Sequence, residues 1–348
     1  MAINPKLALA LVTLGSLLIV GSLSILIWWL ISSKRNDGNV ELHAKEWTSL
    51  DIDANYPSNE ESSEFASWRN RASALPHKID YFPIHTLQPL QNLPTQFYYK
   101  ACDLVPVQNQ GECNTCTIFA CMSMLANRLA LISGGDPTML SVQQYLDCTG
   151  HPCSKPQELR KPLEFAANIG MVKAKVYPYE QKTGSKCQTS LAPQFNDRVF
   201  ASKIQSISPT ATFKVGDAAH LNCIERAKTE IYSFGPIVSV ISIYSDLMKN
   251  YRATAYDKET KRHTGAIYSP TSGAKFIGYH AIMLIGWIQP GPGFTNACWA
   301  CISSWGSSWP ASPWDNWNGL FFIQMGKNTC GIESQMITSL PIEVKLND

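Results

Sequence analysis

Gln108 to Thr117 reads QNQGECNTCT and runs without a break into the most helix-like stretch of the chain. Between residues 117 and 132 the side chains Ile118, Phe119, Cys121, Met122, Leu125, Leu129 and Ile132 recur every three or four positions, the spacing that lines one helix face. Gly134 and Gly135 stop the run, and Asn114 or Thr115 is placed to cap its start. Cys116 therefore stands at a helix N-terminus, where unpaired backbone N–H groups and the helix dipole favour a thiolate. Taken alone, the stretch favours a reactive thiol over the alternative, a cysteine-rich loop with no chemistry.

Outward from this point the chain changes character. A second helical stretch covers 159–168 and is ended by Gly170. After about residue 230 short apolar runs lie between turn residues: 237–243 (IVSVISI), 281–287 (AIMLIGW), 299–303 and 320–324. Helices followed by strands predict an α+β fold with a helical lobe and a β-rich lobe, the site lying between them.

At 348 residues the chain has room for one large two-lobed unit and more. A net charge of +2 and the absence of any Lys/Arg run give no basic groove, so no nucleic-acid partner is expected. No internal repeat is visible. Eleven cysteines are many for a cytosolic enzyme, and an odd number fits a disulfide framework plus at least one free thiol. Several of them are also accounted for as inert buried residues.

Hydrophobic residues make up 45% of the chain, and much of the excess sits at its start. Residues 7–31 carry no charged side chain and end at Trp28 and Trp29, just before Lys34 and Arg35. At about 1.5 Å per residue this run crosses a hydrocarbon core of roughly 30 Å, with the tryptophans at the headgroup boundary. It is longer than a signal-peptide core and ends in bulky residues, so residues 1–33 are expected to be an uncleaved anchor in a lipid bilayer. Lys6 on one side balances Lys34 and Arg35 on the other, and charge does not orient it. A disulfide-bearing domain favours a type II arrangement, with the domain on the lumenal or extracellular side. The chain contains no Asn-x-Ser/Thr sequon, which keeps a virion membrane as the alternative. Residues 34–92 include the polar, acidic NYPSNEESSE at 55–64 and read as a stem or short pro-like segment, with a folded domain over 93–348.

Four ordered segments carry a family resemblance. QNQGECNTCT resembles the nucleophile segment of papain-family, cathepsin-like cysteine peptidases, in which a Gln precedes the catalytic Cys by six residues; here these are Gln110 and Cys116. GYHAIMLIGW at 278–287 is similar to the strand bearing that family's catalytic His, here His280. ISSWG at 302–306 resembles its Asn-Ser-Trp-Gly turn. CGIES at 330–334, with TGAIYSPTSG at 264–273, resembles cathepsin B-like enzymes. The resemblance implies a thiol peptidase acting on peptide or protein substrates, with Cys116 as nucleophile and His280 as acid–base partner. Gln110 and the Cys116 N–H would form the oxyanion hole, and Trp305 would shield the site from water. It also implies disulfides Cys113–Cys153 and Cys148–Cys187; Cys102 lacks a visible partner, and Cys121, Cys223 and Cys330 stay unassigned. No cofactor is expected. Cys298 and Cys301 form a C-x-x-C, but an i,i+3 pair on a strand faces opposite sides and no further Cys/His pair completes a zinc set, so packing is the better reading. His263, in the polar KETKRHTG stretch, is the one rival histidine and reads as solvated.

The departures from the family bear on activity. Ser303 stands where the family has its orienting Asn, a shorter hydroxyl in place of a carboxamide. Thr117 replaces the aromatic residue after the Cys, and Asn114-Thr115 replaces Gly-Ser/Ala. HPCSKP at 151–156 lacks the family's Cys-Asn-Gly-Gly, whose glycines offer backbone hydrogen bonds to substrate. Gln335 falls where cathepsin B has a Glu at the base of its main specificity pocket, which predicts apolar residues there. No paired histidines of an occluding loop are visible, so carboxydipeptidase activity is not expected. Two functions follow: an anchored thiol endopeptidase, or a weak or inactive papain fold kept as a structural or binding component of a membrane or virion.

Overall fold

The computed structural model describes residues 92–100, 103–182, 186–188, 197–209, 213–252, 254–257, 262–291, 294–310 and 319–345. All of them fall within one compact unit. The expected anchor (7–31), nearly all of the stem (34–92) and Cys102 lie outside the described residues.

The apolar run after Cys116 forms α1 (Cys116–Ser133), stopped by Gly134 in the left-handed conformation at φ 68°. Long and apolar enough to span a membrane, α1 is instead a core helix, with 72% of it buried. It packs against α2 (Val142–Thr149) and α3 (Lys161–Ile169) through Phe119, Met122, Leu125, Tyr145, Leu163 and Phe165. The periodic pattern at 159–168 matches α3, while α2 has too short an apolar stripe to stand out. Its signal is a local cap, since Ser141 Oγ accepts the Gln144 N–H at 3.0 Å.

The β-rich part is an eight-stranded sheet among the described residues, in the order β2-β10-β3-β7-β8-β9-β6, with β1 (Phe97–Tyr98) added on β7. Its strands are β2 (Asp197–Ser206), β3 (Ile237–Tyr244), β6 (Ile267–Tyr268), β7 (Phe276–Ile288), β8 (Cys298–Ile302), β9 (Leu320–Gln324) and β10 (Met336–Lys345). β4 (Thr254–Asp257) and β5 (Arg262–Gly265) form a separate hairpin, which places His263 on a strand. The expected strands at 237–243, 281–287, 299–303 and 320–324 became β3, β7, β8 and β9. The sequence reading missed β2 and helix α4 (Ala218–Phe234), capped by Asp217 accepting from the His220 N–H at 2.8 Å. β7 needs glycine at 286, because a Cβ there would lie 2.1 Å from the Phe97 carbonyl where β1 crosses. Cys298 and Cys301 are both fully buried on β8, one in the core around Ile285 and Phe322, the other in the core around Trp287 and Trp299. Opposite faces of one strand make them packing residues.

A buried polar knot joins the helical part to the sheet. Arg128 on α1 is fully buried and donates to Glu230 Oε1 on α4 at 2.8 Å, to the carbonyls of Gly235 and Pro236 at 3.0 and 2.7 Å, and to Ser339 O on β10 at 3.1 Å. Thr338 Oγ1 donates to the same Glu230 oxygen at 2.6 Å. With four of its five N–H donors placed, the charge is tolerated in the core, and the relative position of α1, α4 and β10 is fixed.

Candidate active site

Cys116 opens α1, and its sulfur accepts the backbone N–H of Ala281, the residue after His280 on β7. The helical part and the sheet therefore meet at the thiol. Further donors are the backbone N–H groups of Thr117 and Cys116 itself, while the Thr117 hydroxyl, 4.0 Å from the sulfur, gives its proton to Gln157 O at 3.0 Å. Thr115 takes the N-cap position but does not cap: its ψ of 14° is not extended, and its hydroxyl meets the Tyr179 hydroxyl at 3.0 Å. Asn114 is turned away as well, its Nδ2 donating to Ser154 O at 2.9 Å. The expected side-chain cap is absent, and the first-turn donors are left for the sulfur and for an oxygen bound beside it.

His280 is 3% exposed; its Nε2 meets Ser303 Oγ at 2.9 Å, and its ring stacks on Trp305 with centroids 4.1 Å apart and planes 23° apart. Trp305 is held edge-on by Trp309 at 4.5 Å, which meets Phe321 at 5.2 Å, so the shield is continuous with the core. Gln110 is fixed from both sides. Its N–H donates to Ser304 O at 2.8 Å, its Oε1 accepts from Ser304 Oγ at 2.7 Å, and its Nε2 donates to Cys113 O at 2.8 Å. An amide nitrogen carries two hydrogens, so one donor remains on Nε2.

Burial sets the protonation of the pair. It pushes the Cys116 thiol up, against the donors named above, and pushes the His280 imidazole down to about 3. A helix N-terminus by itself favours thiolate, but here the loss of water around a 9% exposed sulfur is larger. Each charge alone is disfavoured, so burial holds both groups neutral at rest. Trp305 presents its ring face to the imidazole.

The expected disulfides Cys113–Cys153 and Cys148–Cys187 are both present, with Cα atoms 4.7 and 4.5 Å apart. The first lies beside the start of α1, where the Asn114 N–H donates to Cys153 O at 2.7 Å. Cys121, Cys223 and Cys330 are free and buried, as are Cys298 and Cys301. Gln335 is half-buried immediately before β10. It does not border the cavity of about 20 Å³, room for about one water, that Ser303 and Ser304 share with Ala281, Met283, Phe119 and Val105. Tyr179 is the site residue that sequence reading missed. Its signal lies in tertiary contacts, since it is 64 residues from Thr115 and 69 from Gln110.

Comparison with known proteins agrees with this geometry. The model of the papain family cysteine proteases matches residues 93–340. The chain is 26% identical over 243 residues to a gut-specific cysteine proteinase of Caenorhabditis elegans, covering 66% of this chain and 67% of the relative. It is 25% identical over 254 residues to cathepsin B-like cysteine proteinase 3 of the same organism, covering 67% and 61%. It thus spans about two thirds or less of these relatives' own lengths. Procathepsin B S9 from Trypanosoma congolense shares the fold, with a TM-score of 0.51, 17% identity, and coverage of 74% of this chain and 83% of that one. A helix that opens at Cys116 and a strand that carries His280, meeting at one buried thiol within a sequence match that spans most of the described fold, place the chain in the papain family of cysteine proteases.

Proposed function

We propose that the chain is a thiol endopeptidase in which Cys116 and His280 act as a dyad and Gln110 assists through an oxyanion hole. The single observation that carries this reading is that Cys116, at the start of α1, is buried in one cluster with Ala281, the residue after His280 on β7, whose N–H faces the sulfur. His280 Nδ1 takes the thiol proton as the sulfur bonds to the scissile carbonyl carbon and the carbonyl π pair moves to oxygen. The Cys116 N–H and the remaining Gln110 Nε2–H receive that oxygen. Collapse of the intermediate breaks the C–N bond, and the imidazolium gives its proton to the leaving amine. Water, deprotonated by His280, then attacks the thioester and releases the acid and the free thiol.

Ser303 fits this scheme less well than a carboxamide. A carbonyl oxygen only accepts, so it holds the Nε2–H tautomer that leaves Nδ1 basic. A hydroxyl donates or accepts, and satisfies either tautomer. This observation, with the neutral resting pair, favours the second reading of a catalytically weak papain fold serving a membrane or virion. We further propose residues 1–33 as a bilayer anchor, 34–92 as a stem and 93–348 as the peptidase part. Trp305 is assigned to shielding and Gln335 to a specificity pocket that accepts apolar residues.

An epoxide-type thiol probe is the direct test, with Cys116→Ala as the control. Labelling of Cys116 in the parent alone, with cleavage of a fluorogenic peptide, is the expected result. A folded parent that fails to label at any pH sinks the enzyme reading. Protease protection of intact membranes tests the anchor, and full digestion of 93–348 from the cytoplasmic side overturns the type II arrangement.

A further inference from the structure

The proposed oxyanion hole has two donors on different pieces of chain: Nε2 of Gln110 in the loop before α1, and the backbone N–H of Cys116 at the start of α1. Their separation must be held to a few tenths of an ångström for both to reach one oxygen. Tyr179, on the loop after α3, touches both pieces. Its O–H donates to Gln110 O at 2.9 Å and leaves the oxygen as acceptor for Thr115 Oγ1 at 3.0 Å. Tyr179 cannot give its one proton twice, so the threonine is the donor, at 3.0 Å in preference to its longer contact with Cys113 O at 3.4 Å. Thr115 immediately precedes the nucleophile, and its carbonyl accepts the first α1 bond, from the Phe119 N–H at 3.0 Å.

The phenol itself is well fixed. Its ring meets Phe119 edge-on, with centroids 4.9 Å apart and planes at 87°. Half-burial pushes its pKa up, which keeps the proton on the oxygen across the working range. The neighbouring Gln181 closes over Gly111, where a Cβ would sit 1.9 Å from Gln181 Oε1 and φ is +57°. The loop is thus held at Gln181 and Tyr179, and among the described residues it is Tyr179 that joins it to the residue before Cys116.

We infer that Tyr179 is a positioning residue of the oxyanion hole, its hydroxyl setting the distance between the Gln110 side chain and the Cys116 backbone N–H. This rests on the peptidase reading above. The role is invisible in ground-state binding and is expressed when the carbonyl oxygen becomes an oxyanion.

The test is Tyr179→Phe, which keeps the ring against Phe119 and removes the bridge. Loss of a whole oxyanion donor costs about 10²–10³ in turnover, so a displaced donor is expected to cost about tenfold in kcat, with KM within about twofold. Affinity for a peptide aldehyde, which adds the Cys116 S–H across its C=O to leave a hydroxyl in the same hole, should fall by a similar factor. Alkylation of Cys116 by iodoacetamide uses no oxyanion and should proceed at the parent rate. In a Gln110→Ala background, Tyr179→Phe should add less than about twofold, because the donor it positions is gone. Unchanged kcat and aldehyde affinity in Tyr179→Phe overturn the inference, as does an equal fall in alkylation rate, which would mean general loosening. A parent that binds the aldehyde but turns over no peptide refutes the peptidase reading, and the aldehyde comparison still decides Tyr179. A parent that does not bind the aldehyde refutes the oxyanion hole and Tyr179 with it.

Discussion

Replacing Ser303 by alanine removes the hydroxyl that His280 Nε2 meets at 2.9 Å, in a ring only 3% exposed. A neutral hydrogen bond contributes about 0.5–1.5 kcal/mol, and one to a charged group about 1.5–3 kcal/mol. The rate depends on the difference, about 1–1.5 kcal/mol, because the imidazolium exists in the transition state and the neutral ring in the resting enzyme. At about 1.4 kcal/mol per factor of ten, Ser303→Ala should lower kcat roughly five- to tenfold. Ser303→Asn moves the other way, since an amide oxygen accepts from Nε2–H and holds Nδ1 basic; a gain of about two- to fivefold is expected. The small cavity bordering Ser303 gives neighbouring side chains room to adjust to the larger residue. The assay is kcat on a fluorogenic peptide, normalised to titratable thiol. An alanine variant within about twofold of the parent, or an asparagine variant slower than it, refutes Ser303 as the orienting group.

Two further predictions concern protonation and packing. The folded His280 pKa of about 3 lies below the unfolded value of about 6.5, so the unfolded chain binds the proton first. Stability must then fall as pH drops through that window, and His280→Asn should flatten the fall; an identical pH–stability slope in parent and variant contradicts the burial argument. Glu230→Ala strands the fully buried Arg128 and should cost about 3–5 kcal/mol in urea unfolding, with Glu230→Gln milder. A loss below about 1 kcal/mol would show that the Arg128 carbonyl partners suffice without the carboxylate.

Much of this protein was legible along the chain because it rests on local rules. The period of Ile118, Phe119, Met122 and Leu125 needs only a helix with one face to bury, and it located α1 and the thiol at its start. Short apolar runs located β3, β7, β8 and β9 in the same way. The motif segments around Gln110, Cys116, His280 and Trp305 identified the family and the disulfide pairing, since spacing in sequence fixes which residues a shared fold must bring together. The start of α2 is marked only by a cap contact inside one turn, and β2 carries charge beside its apolar residues, so neither gave a periodic signal.

Tertiary structure decided what depends on the surroundings of a group. The thiol at a helix N-terminus reads as a thiolate from sequence, yet burial where α1 meets β7 removes the water that would solvate its charge. Thr115 looks like a cap and spends its hydroxyl on Tyr179 instead, because the loop after α3 folds back on it. The sequence by itself determined the fold class and the family, and it singled out Cys116 and His280 as the proposed pair. Which proton each of them holds, and what keeps Gln110 beside Cys116, depends on residues 64 to 69 positions away brought to within 3.0 Å. Desolvation and contact at that range are properties of the packed molecule and leave no local pattern in the chain.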